Sequence, residues 1–127
     1  MSFEFYKTLH LAGIFLLIAS LGGIGLHVIN GGTRNFANRK WIAALHGVAT
    51  TVVIIAGFGL MARTNLMATW PTWIFGKLMA WAILAAAPAA LYRATSRAAI
   101  VAKIYFLLIP TVAAIAAILA IFKLGTV

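Results

Sequence analysis

The chain has 127 residues, 65% of them hydrophobic, with a mean hydropathy of +1.08 and a formal charge of +9 from ten basic side chains and one acidic one. A chain of this length cannot hide so much apolar surface from water, which excludes an ordinary soluble domain and points to a bilayer. There is no cysteine, so disulfides, iron–sulfur clusters and thiolate metal sites are excluded as well.

A hydrocarbon core about 30 Å thick needs about 20 apolar residues of helix, and four runs of that length follow one another, at roughly residues 5–29, 41–62, 70–91 and 98–122. The first carries His10 near its start and His27 near its end. Their spacing is ~25 Å along a helix, so one metal cannot take both. This run is too long for a cleaved signal peptide and has no small-x-small exit, so it is expected to stay. Its "GGIGLH" reads first as close helix packing and, more sharply, as a cofactor slot.

The second run, in "WIAALHGVATTVV", holds His46 beside Gly47, a glycine that leaves room for a neighbouring helix or a flat cofactor. Lys77 lies near the start of the third run. Pro88 falls inside the third and Pro110 inside the fourth, where each removes a backbone donor and is expected to kink its helix. Trp41, Trp70, Trp73 and Tyr92 fall near the predicted span ends and read as interfacial anchors.

The connections "NGGTRNFANRK", "RTNLMATWPT" and "RATSR" are short, which makes sequence neighbours antiparallel. With no repeat and no remaining soluble segment, residues 1–127 read as one domain, an all-α integral membrane up-down four-helix bundle with short loops. The positive charge sits at the membrane edges and is assigned to the lipid bilayer, not to nucleic acid. Arg34, Arg39 and Lys40 lie in the first loop and Arg93, Arg97 and Lys103 in or beside the third, against Lys7, Arg63 and Lys123 on the other side. The positive-inside rule then predicts a multi-pass protein of a bacterial inner membrane with both termini periplasmic, and leaves a homo-oligomer open.

This topology creates two polar levels. His27 and His46 share one, with an axial offset of ~5 Å, near enough for a single ligand. His10 and Lys77 share the other. Intramembrane ionisable groups are costly and read by default as functional or buried with a partner. The plainer readings are a solvated boundary position for His27 and an interhelical hydrogen bond for His10. For Lys77 they are snorkelling or a pair with Glu4, the single acidic residue.

The segment "YKTLHLAGI", followed by a glycine-containing helix and a basic loop, resembles the first part of the HemJ-type protoporphyrinogen oxidases. "NRKWIAALHGVATTVVIIAGFGLM" is similar to the basic start and glycine-containing exit of that family's second helix. "TWPTWIFGKLMAW" resembles the tryptophan-to-lysine opening of its third, and "LIPTVAAIAAILAIFK" its last helix, with Pro110 early and Lys123 at the end. Copper-resistance D-like membrane proteins share the same opening.

The resemblance spans most of the chain and implies a small helical membrane protein that binds haem b, with His10 and Lys77 at the matching functional positions. Two departures stand against oxidase activity. The family has a further histidine in its third helix, where this chain reads "AILAAAPAALYR", and an acidic residue where Ile109 stands. Removing six hydrogens from a tetrapyrrole requires proton acceptors, and Glu4 is the only carboxylate side chain.

The leading expectation is therefore a haem b protein of the inner membrane that passes electrons with a quinone or a partner oxidoreductase. His27 and His46 are the preferred axial pair on the haem iron. His10 is the alternative ligand, with Lys77 contacting a propionate or donating a proton. The alternatives are a HemJ-like protoporphyrinogen IX oxidase and a non-redox assembly subunit or small transporter. Copper handling ranks lower, because Met61, Met67 and Met79 do not cluster in sequence.

Overall fold

Ser2 sets the start of the first helix: its hydroxyl accepts a hydrogen bond from the Phe5 amide at 3.1 Å, and Glu4 complements the positive first turn. That helix, α1, runs Phe3–Ile29, followed by α2 at Arg39–Arg63, α3 at Thr72–Ala94 and α4 at Ala99–Phe122. The computed structural model describes residues 1–94 and 99–123, so Arg97, counted above among the basic edge residues, lies outside the described residues. All four helices are long and apolar enough to cross a membrane, and together they form an all-α four-helix bundle.

The helix ends depart from the hydropathy edges for identifiable reasons. α2 begins at Arg39 and α3 continues to Ala94, because basic and aromatic side chains let a helix run on into the headgroup region. α3 starts at Thr72 because Pro71 lacks an amide donor and disfavours a helical Trp70; the Pro71 carbonyl instead accepts from the Ile74 amide at 3.1 Å. α1 ends in a paired turn. The Gly31 amide donates to Val28 O at 3.0 Å and the Gly32 amide to His27 O at 2.8 Å, with Gly31 at φ +83°, a conformation that favours glycine.

Consecutive helices run antiparallel. Tyr6 lies against Gly59, His10 against Gly57 and Gly13 against Val53, so ascending α1 means descending α2; Gly76 against Leu119 shows the same for α3 and α4. α1 touches all three other helices; among the described residues α2 and α3 meet only slightly, and α2 and α4 do not meet. The core joins Leu17, Leu21 and Ile24 to Val53 of α2, Leu84 and Leu91 of α3 and Ile109 of α4. Large apolar side chains such as Phe15, 71% exposed, and Leu107, 65% exposed, point outward, as a lipid-facing surface requires.

Small residues bring the helices together, although not everywhere the sequence suggested. A methyl group at Gly13 would come within 3.0 Å of Val52 and Val53, whereas one at Gly47 or Gly22 would meet nothing within 4 Å. The room expected beside His46 at Gly47 is therefore not a helix contact.

Candidate functional site

The three histidines occupy three different settings, each built by a local sequence feature. His46 is 8% exposed and its Nε2 donates to the Leu84 carbonyl of α3 at 3.1 Å. That carbonyl stands four residues before Pro88. Proline has no amide, so the helix leaves Leu84 O without its usual i+4 donor, and His46 supplies one from across the bundle. Thr50 donates to His46 O at 3.0 Å, and Trp81 Nε1 donates to Thr50 O at 3.0 Å. The Trp81 bond was not anticipated from sequence. The signal was present, since an indole far from a span end needs an acceptor inside the bundle.

His27 belongs to the end of α1. Its Nε2 donates to Thr33 O at 2.8 Å, its ring packs over Gly32, and Phe36 stacks on it at 4.1 Å between centroids. A methyl group at Gly32 would overlap that ring. Phe36 in turn meets Tyr92 at 6.3 Å. Tyr92 and His46 line a cavity of about 250 Å³ together with Arg34, Arg39, Ile24 and Pro88, and His27 is not part of its lining. The two rings expected to form an axial pair therefore each have a carbonyl partner, and Phe36 intervenes between His27 and the cavity wall.

His10 and Lys77 are brought together at the opposite end of the bundle. His10 Nδ1 donates to Val53 O at 2.9 Å, across the α1–α2 contact at Gly57. With Nδ1 carrying the proton, Nε2 is the nitrogen with a free lone pair. Lys77 lies near enough for its charge to act on the His10 ring, and its Nζ is 5.9 Å from the Trp73 ring centroid. Among the described residues, Trp73 Nε1 is buried without a hydrogen-bond partner, at a position that the sequence reads as an interfacial anchor. Trp70 donates to Met67 O at 3.2 Å and packs between Phe58 and Phe75, with ring centroids 5.9 and 5.7 Å away.

Among the described residues, no three His, Cys, Asp or Glu side chains converge to hold a metal ion. A haem makes a smaller demand, one or two imidazoles in a dry setting. The donor chemistry fits that demand at His10, where a backbone carbonyl orients the ring in the manner usual for metal-bound histidine. The Lys77 ammonium acts on that ring, and 5.9 Å from the ammonium is the Trp73 ring, whose N–H has no partner among the described residues; both groups suit an anionic or carbonyl acceptor. At His46 the cavity is smaller than the roughly 300–1,000 Å³ of typical ligand pockets.

No protein-family model, curated protein or solved structure matches the chain. The fold defines a class, a small four-helix bundle whose helices are all long and apolar enough to cross a membrane.

Proposed function

We propose that this protein binds haem b through His10 and passes electrons within the membrane, with a quinone or a partner oxidoreductase as the other reactant. The observation that carries this reading is the His10 Nδ1 bond to Val53 O, which leaves Nε2 as the ligating nitrogen. Lys77 and Trp73 would hold a propionate or another acceptor of the group. A bound haem supplies reversible one-electron chemistry at iron; the chain supplies the ligand, the orientation and a low-dielectric surrounding. His27 and His46 remain the alternative pair. We place the chain in a bacterial inner membrane with both termini periplasmic, on the greater positive charge of the first and third connections.

The test is a reduced-minus-oxidised spectrum of the detergent-purified chain with haem quantified per polypeptide. Wild type is expected to show sharp reduced bands at near-stoichiometric haem, His10→Ala to lose them, and His27→Ala and His46→Ala to keep them. Bands lost only in the last two variants would return the assignment to that pair.

One observation favours a second reading, a non-redox bundle serving as an assembly subunit or small transporter: every histidine ring already has a carbonyl partner. A colourless protein after expression with ample haem decides for it. The protoporphyrinogen oxidase reading gains no support from the geometry.

A further inference from the structure

The cavity over His46 has a chemistry that the haem reading does not use. Its lining joins the exposed Arg34 and Arg39 and the Tyr92 ring to the buried His46 and Ile24 and to Pro88. The Arg34 guanidinium lies over the Tyr92 ring, 5.4 Å from its centroid, a contact that restrains a long, flexible side chain. Both arginines are exposed, whereas His46 is buried, so the site runs from water to a dry interior.

Among the described residues no carboxylate side chain lies near these charges. The only acidic side chain in the sequence is Glu4, in the first turn of α1, roughly 38 Å along that helix from the end that meets the cavity. Arg39 also opens α2, where the helix dipole is itself positive. The first turn of α2 has no acidic residue, and Asn38 makes no side-chain capping bond. Two guanidiniums at a positive helix end oppose each other unless an anion joins them, and a phosphate matches their forked donors best. The cavity lies between α1, α2 and α3, in a bundle whose exposed helix surface is apolar, a setting that suits an anion attached to lipid.

We propose that this cavity binds the phosphate of an anionic phospholipid headgroup, held by Arg34 and Arg39. It lies at the opposite end of the bundle from His10 and does not depend on the haem assignment.

The experiment uses the full chain in a neutral detergent, titrated with phosphatidylglycerol, phosphatidylcholine or inorganic phosphate and read as lipid adducts by native mass spectrometry. Phosphatidylglycerol is expected to bind in preference to phosphatidylcholine, and Arg34→Gln/Arg39→Gln to weaken it about 30-fold, from the typical interfacial contribution of two basic residues. Lys40→Gln, at the same end but outside the cavity, is expected to change binding less than threefold. An equal loss in Lys40→Gln would reduce the effect to general surface charge and overturn the site. Inorganic phosphate binding as tightly as the lipid would overturn the lipid assignment. Should the double variant fail to fold, photo-crosslinking of a headgroup-labelled phosphatidylglycerol to wild type decides: label on residues 34–46 and 88–92 supports the site, and label elsewhere overturns it.

Discussion

His46 and Pro88 are a matched pair although they do not bond to each other: the proline removes an amide from α3, and the histidine of α2 donates to the carbonyl so released, Leu84 O, at 3.1 Å. An unmet carbonyl inside a membrane bundle costs of order 1–3 kcal/mol. His46→Ala is therefore expected to destabilise the bundle by about that amount. In a Pro88→Ala background the restored amide can take over the carbonyl, and the same replacement should cost markedly less. Unfolding titrations of the four proteins of this cycle measure the coupling. Equal losses in both backgrounds would show that His46 acts independently of the proline.

Gly25 and Gly22 make a second contrast on one helix. A methyl group at Gly25 runs into the Phe106 ring of α4, while one at Gly22 meets nothing. Gly25→Val is expected to cost about 1–3 kcal/mol by overpacking. Gly22→Ala should be neutral or stabilising by up to about 1 kcal/mol, through helix propensity. Reversed signs in denaturant unfolding would mean that α1 and α4 do not pack in this register.

Trp73→Phe removes an indole N–H that has no partner among the described residues and keeps most of the ring. In protein prepared without haem, its effect on stability is expected to lie between zero and a gain of about 1 kcal/mol, since a buried donor is lost along with its desolvation penalty. A clear destabilisation would reveal an acceptor within the folded chain.

Lys77 bears on the electron-transfer reading directly. Reduction adds negative charge, which a nearby cation favours, so Lys77→Gln should lower the midpoint potential of haem held at His10. A redox titration of both proteins gives the sign. An unchanged or raised potential would separate Lys77 from the cofactor.

The pairing of His10 with Lys77 was legible in the sequence, because antiparallel helices of membrane-spanning length place residues near corresponding ends at one height. The partner of each histidine was not. His27 turns back to Thr33 O because two glycines reverse the chain behind α1, and Phe36 then occupies the space between that ring and the cavity of His46. Height along an axis follows from residue number, but rotation about the axis follows from packing. Trp73 shows the same limit: its place near a span end suggested an interfacial ring, yet its nitrogen is turned into the protein.

By itself the sequence determined the solvent, the four spans, their alternation and the crowding of basic residues at one end, because hydropathy summed over about 20 residues outweighs any local detail. It also determined that no thiolate chemistry is available and that the arginines of the first loop have no nearby carboxylate. Only the tertiary structure decided which nitrogen of each imidazole is engaged, that Leu84 O is met from α2, and that Arg34 and Arg39 line one cavity. Those outcomes depend on backbone groups of other helices, whose positions no spacing within a single helix specifies.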